Sequence, residues 1–118
     1  MSTMNLNRGD VVLVLFPDSN LRTAKRRPAL IVQADHLETG LLQSVVVMIT
    51  SNLKRAGHPS RVQVSQSSPD GQQMGLKTDS IVMTDNLSTI LETEIDRIIG
   101  RCNDMQAIDD ALRHTLGL

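Results

Sequence analysis

A chain of 118 residues with 40% hydrophobic content holds apolar material for one compact core and is too short for two, so one domain is expected over residues 1–118. No apolar run approaches the roughly 18 to 20 residues that a membrane span needs, and Met1 to Asn7 lack the charged-then-apolar order of a secretion signal; a cytoplasmic protein with no membrane partner is expected. A single cysteine, Cys102, excludes an intrachain disulfide, and with no second cysteine or histidine cluster near it, it reads as a small apolar residue near the end of a strand.

The net charge of -1 conceals an asymmetry. Residues 1–61 hold eight Lys/Arg against four acids, a charge of +4, whereas residues 62–118 hold four against nine, a charge of -5. Such a division suits a molecule with one surface that meets a polyanion. Phe16 is the only aromatic residue. Single-strand binders that stack bases on several aromatic platforms, in the manner of RNA-recognition motifs or cold-shock domains, are therefore excluded.

In chain order, Asp10 to Phe16 (DVVLVLF) is a β-branched, apolar run too short for a helix and closed by Pro17, so it reads as a strand. Asp18 to Arg27 is polar, carries four positive charges and reads as an exposed, mobile loop. Pro28 then opens a second strand, PALIVQA, to Ala34, at a position where its missing amide costs nothing. Asp35 to Leu42 is a connection with room for a helical turn. Gln43 to Thr50 (QSVVVMIT), apolar on both faces, should be a central strand. Ser51 to Ser60, with Gly57 and Pro59, is a loop, and Arg61 to Ser65 alternates as a half-exposed strand. Gln66 to Thr78 is a turn region. Strands resume at Asp79 to Thr84, at Leu87 to Leu91 and at Arg97 to Arg101. The period then changes: Met105, Ile108, Leu112 and Leu116 mark an amphipathic helix from about Asp104 to Leu116, with Asn103 and Gln106 as a capping box and Gly117 past its end. Short strands with polar turns and one terminal helix predict a mainly β fold, a small bent antiparallel barrel packed on that helix.

Several familiar patterns carry no function here. His36, His58 and His114 are far apart in the chain and show no ligand spacing, so no metal site is expected, and neither a phosphate-cradling glycine loop nor a GxSxG elbow occurs. Arg8-Gly9-Asp10 reads as a turn leading into the first strand. Asp109 and Asp110 read as a solvated helix face.

Taken together, Arg8-Gly9-Asp10-Val11-Val12, Arg26-Arg27-Pro28-Ala29-Leu30-Ile31-Val32, Ile49-Thr50-Ser51 and Gly75-Leu76 resemble the signature run of the MazF/PemK toxins, with matching order and spacing from Arg8 to Leu118. The resemblance implies an SH3-like barrel of the MazF/PemK/CcdB type with a C-terminal α-helix, a homodimer, endoribonuclease activity on short motifs in single-stranded RNA without a cofactor, and a cognate antitoxin as partner. It places the catalytic arginine at Arg27 and the active-site threonine at Thr50, with Ser51 beside it. Asp85 falls where relatives carry an acid. Some relatives also have arginines where this chain has Met83 and Ser88.

The chemistry suits these residue types. Metal-free RNA cleavage uses the substrate's own 2′-hydroxyl as nucleophile, so the protein supplies proton transfer and charge stabilisation. A guanidinium holds two phosphate oxygens at once and stays charged at any working pH. Thr50 and Ser51 would hydrogen-bond the scissile phosphate or the 2′-hydroxyl. His58 has a suitable intrinsic pKa for proton transfer, and Arg61 opens a strand that could return past Thr50, as a second phosphate contact. Arg22, Lys25 and Arg26 would guide the RNA backbone. Two other readings stay open: a non-catalytic CcdB-like toxin that inhibits a protein such as gyrase through its C-terminal helix, and a binding barrel that has lost catalysis.

Overall fold

The computed structural model describes residues 5–17 and 24–118. Six strands, β1 (Asp10–Pro17), β2 (Ala24–Ile31), β3 (Gln43–Thr50), β4 (Arg61–Val64), β5 (Ser80–Leu91) and β6 (Ile95–Arg101), form one antiparallel sheet in the order β4-β5-β3-β2-β1-β6. A short helix α1 (Pro69–Gln73) precedes β5, and α2 (Gln106–Leu116) follows β6. Single 3₁₀ turns stand at Leu53–Arg55 and Glu92–Glu94.

The central strands feed two cores because they are apolar on both faces. Val11, Leu30, Val47 and Ile49 enter one cluster, closed by Met74, Leu76 and by Ile108 of α2. Their neighbours Val12, Val14, Ala29, Ile31, Val46 and Met48 enter the other, with Ile90 and Ile95. Ile90 and Ile95 belong to β5 and β6, which stand toward opposite flanks of the sheet. A flat sheet could not bring them into one cluster, so the sheet curls into the barrel that the residue pattern and the resemblance predict.

Irregularities in pairing set the curl. Val47 pairs with Leu87 but Met48 with Met83, leaving Thr84, Asp85 and Asn86 as an insertion in β5. The two segments read from sequence as separate strands are thus one bent strand of 12 residues. Two more shifts in the pairing of β1 with β6 leave Asp96 and Ile99 as extra residues.

Other expectations need correction. β2 begins at Ala24, so Lys25, Arg26 and Arg27 lie in a strand rather than in a loop; the apolar run of β1 offers each a partner, Arg27 opposite Val14 and Arg26 opposite Leu15. Residues 18–23 of the expected loop lie outside the described residues. The 35–42 connection contains a turn at Asp35 and His36 and no helix. The 66–78 turn region contains α1, whose start is Ser68, accepting from the Gly71 amide at 3.0 Å, followed by Pro69 in the first turn. Asn103 is not the helix cap: its amide donates to Gln73, and Asp104 accepts from the Gln106 amide instead. Gly117 ends α2 in the left-handed conformation, as expected.

The Arg8-Gly9-Asp10 triplet is structural. The buried Asp10 carboxylate accepts from the Asn7 amide and from Arg101, while Arg8 donates to the Val32 carbonyl and forms an ion pair with Asp109. Asp109 therefore anchors α2 to the chain leading into β1 and is not merely solvated. Cys102 is buried just past β6, and burial, followed by the charges of Asp70 and Asp104, pushes its thiol up.

Ile108 is 2% exposed at the centre of the α2 contact. Ile108→Asp is expected to destabilise the protein by about 3 kcal/mol or more, because it buries a charge with no partner. Urea unfolding monitored by circular dichroism checks this, and a midpoint equal to that of the parent would contradict the assignment of this face.

Candidate active-site groove

β2 and β3 pair through Ile31 with Val46, Leu30 with Val47 and Ala29 with Met48. Continued by one register, the ladder would set Pro28 against Ile49, Arg27 against Thr50 and Arg26 against Ser51. It stops at Ala29, one residue before a proline that has no N–H to give. Each lip nevertheless stays fixed by its outer neighbour: Pro28, Arg27 and Arg26 pair with Leu13, Val14 and Leu15 of β1, and Ile49 and Thr50 pair with Val82 and Ile81 of β5. The strands part between two supported edges.

The gap is a groove of ≈ 570 Å³, to which Arg26, Arg27, Pro28, Ile49, Thr50 and Ser51 all contribute. Its floor includes Leu13, which is in register with Pro28 on one side and Arg97 on the other. Gly75, Leu76, Lys77 and Thr78 form the far wall with Arg97 and Ile99. Gly75 has φ +72°, and a Cβ there would stand 2.2 Å from the Ile99 carbonyl oxygen. Only glycine lets this segment lie against β6.

The site is cationic. Arg26, Arg27, Lys77 and Arg97 line it, and among the described residues no carboxylate does. Asp96, the extra residue of β6, sits beside it; its Oδ2 forms an ion pair with Arg26 Nε at 3.1 Å and accepts from Arg97 Nη1 at 3.4 Å. Among the described residues, neither Arg27 nor Lys77 is paired with a carboxylate. Thr50 Oγ1 accepts from the Asn52 amide at 3.1 Å, which orients the hydroxyl and leaves its proton for another acceptor.

The structure thus brings Arg27, Thr50, Ser51 and Arg26 to one groove. Lys25 is exposed on β2 outside the lining, and Arg22 lies outside the described residues. His58, Arg61 and Asp85 meet elsewhere. β4 pairs with β5, not with β3, so Arg61 does not return past Thr50. Its guanidinium grips Asp85, with Nη2 2.8 Å from Oδ2, and also donates to the Arg55 carbonyl at 3.2 Å. His58 Nδ1 accepts from the Ser60 amide, and its ring lies 5.9 Å from that of His114, so two histidines remote in sequence are neighbours in the fold. Residue types alone did not single out Lys77, Thr78, Arg97 or Ile99. Gly75-Leu76 stood next to two of them, but nothing local marked Arg97.

The hydrogen bond from Arg61 holds the Asp85 carboxyl below the usual carboxylate range; partial burial opposes it, and the charges of Arg61 and His58 add to it. A carboxyl depressed in the folded state adds stability above its unfolded pKa and loses it as pH falls through the folded value. Asp85→Asn is therefore expected to cost a small amount of stability at pH 7 and none in strong acid, because the pair is partly exposed. Chemical denaturation across pH 2 to 7 checks this; a constant difference would contradict the linkage.

A curled antiparallel sheet that parts to expose hydroxyls and guanidiniums along one groove defines a small barrel with a cationic cleft. The chain belongs to the family of PemK-like, MazF-like toxins of type II toxin-antitoxin systems, which it matches over residues 7–116. It is 31% identical over 107 residues to the endoribonuclease MazF6 of Mycobacterium tuberculosis, covering 88% of this chain and 90% of that protein. It is 27% identical over 118 residues to the endoribonuclease EndoA of Bacillus subtilis, covering 98% and 97%. Among solved structures, a mycobacterial endoribonuclease in complex with its cognate antitoxin superposes with a TM-score of 0.71 at 25% identity, over 96% of both chains.

Proposed function

We propose that this toxin is an endoribonuclease that cuts single-stranded RNA in the groove between β2 and β3, by attack of a ribose 2′-oxygen on the adjacent phosphorus. The single observation that carries the reading is the parted ladder, which opens a groove lined by Arg27, Thr50 and Ser51, with Arg27 held by β1 and Thr50 by β5. As the 2′-oxygen bonds to phosphorus, its proton leaves; the bond from phosphorus to the 5′-oxygen breaks, and that oxygen takes up a proton. The products are a 2′,3′-cyclic phosphate and a 5′-hydroxyl.

The role of the chain's own residues is electrostatic and orienting. Arg27 places a fixed positive charge where the phosphorane gathers negative charge, and its fork matches two non-bridging oxygens. Thr50, already turned by the Asn52 amide, donates its proton to the phosphate or binds the 2′-hydroxyl, with Ser51 beside it. Leu13, Pro28 and Ile99 offer aliphatic surface for a base, where other folds use an aromatic platform. Arg26 joins the backbone contact, and Arg22 and Lys25 lead the strand toward it. Arg61 and Asp85 satisfy one another and brace the insertion in β5 against the 3₁₀ turn at Leu53–Arg55, with His58 close enough for its charge to act on Asp85.

The cationic lining suits a polyanion and repels a divalent ion, so the reaction needs no metal or cofactor. The toxin works in the cytoplasm as one domain and as a homodimer, and a cognate antitoxin silences it by covering the groove. No helix among the described residues is long and apolar enough to cross a membrane. A gyrase inhibitor acting through a free C-terminal helix is disfavoured, because Ile108 and Ala111 of α2 are committed to the core.

Incubation of the purified protein with a mixed RNA pool is expected to yield discrete cuts bearing 2′,3′-cyclic phosphate or 3′-phosphate ends, with and without chelator. Cuts that vanish with chelator would overturn the metal-independent mechanism. Arg27→Ala is expected to lower the cleavage rate by about 10²-fold or more with an unaltered melting curve. Undiminished cleavage would remove Arg27 from the reaction.

A further inference from the structure

We propose that Lys77 and Arg97 form a second phosphate-binding wall, a subsite for backbone phosphates next to the one held by Arg27; the proposal rests on the ribonuclease reading above. Both residues line the groove, Arg97 from β6 and Lys77 from the segment that leads into β5, the neighbour of β3, and nothing in the chain's local pattern put them there.

Independent features of the fold build this wall. Arg97, Leu13 and Pro28 stand in one row across β6, β1 and β2, so Arg97 and the β2 arginines flank the floor at two strand spacings, about 10 Å. The left-handed Gly75, in contact with the Ile99 carbonyl, carries Leu76 and Lys77 onto the same rim. The bulge in β6 frees Asp96 from the ladder, and its carboxylate ties Arg97 to Arg26 across the mouth. Arg97 has five N–H donors and gives one to Asp96, leaving the rest for a ligand. Lys77 is exposed and, among the described residues, has no carboxylate partner. Four cations, sharing the one carboxylate of Asp96, leave an excess of positive charge along a concave surface and concentrate the field where a polyanion would run. A single phosphate needs one wall; a chain of phosphates uses both.

The variants Lys77→Gln, Arg97→Gln and their combination test this, with Arg113→Gln on the outer face of α2 as control. Binding of a random-sequence, 2′-O-methylated single strand, which cannot be cut, is measured across a potassium chloride series. Each groove variant is expected to lower the slope of log affinity against log salt by about 0.7, and the double variant by about 1.4. The control should not change it, and Arg97→Lys should restore it. On a long cleavable transcript, KM should rise while kcat stays within about twofold, since neither residue meets the reacting phosphate. Unchanged slopes in an active enzyme would overturn this proposal alone. A parent protein that neither binds nor cuts RNA would overturn the ribonuclease reading as well.

Discussion

The organisation of the molecule depends on one interrupted strand ladder. β2 and β3 are joined by hydrogen bonds up to Ala29 and Met48, and the next residue on β2 is a proline. Beyond it the two backbones separate, yet neither becomes loose, because β1 holds one and β5 the other. A proline inside a sheet ordinarily costs a ladder bond. Here the loss falls where the two strands part, and the edge it leaves lies in the groove. Rigid lips matter chemically: charge stabilisation is greatest when the donors need not reorganise as the reaction proceeds.

Support for those lips comes from two cores on the two faces of the same sheet. β1, β2 and β3 each send alternate residues to both, so tilting one strand would disturb both clusters. α2 seals one face through Ile108 and is pinned at several points. Arg8 pairs with Asp109 near its start, and near its end Thr115 joins Ser60 and Thr84 in a hydroxyl network with contacts of 2.6 to 2.8 Å. That network ties the helix to the loop before β4 and to the insertion in β5. The C-terminal helix is a buttress, with Ile108 and Leu112 of its apolar stripe committed to packing.

Charge is arranged by the fold more than by chain position. The first half of the chain is basic and the second acidic. The groove takes two arginines from the basic half and Lys77 and Arg97 from the acidic half. Most acids of that second half face elsewhere, and Asp96 is used as a tie between guanidiniums at the groove's mouth. The scarcity of aromatic residues has a structural counterpart in the aliphatic lining of Leu13, Pro28 and Ile99.

Residue order alone determined what depends on near neighbours. β3 runs from Gln43 to Thr50 as its two-faced apolar pattern required, β1 starts at Asp10, and the stripe through Ile108 marks α2. The resemblance to the family's signature run also pointed to Arg27, Thr50 and Ser51, which the fold brings to one groove. What escaped depends on partners far along the chain. Arg26 and Arg27 look like loop residues until β1 pairs with them; Leu87 to Leu91 looks like a strand of its own until β3 shows it continuous with Ser80; Arg97 enters the groove only because β6 pairs with β1 opposite Leu13. His58 and His114 become neighbours only when α2 packs beside β4. Side-chain alternation and turn chemistry are local and can be read residue by residue. Register, bulges and curl are settled by which distant backbone groups find one another, and that is decided only when the whole sheet closes.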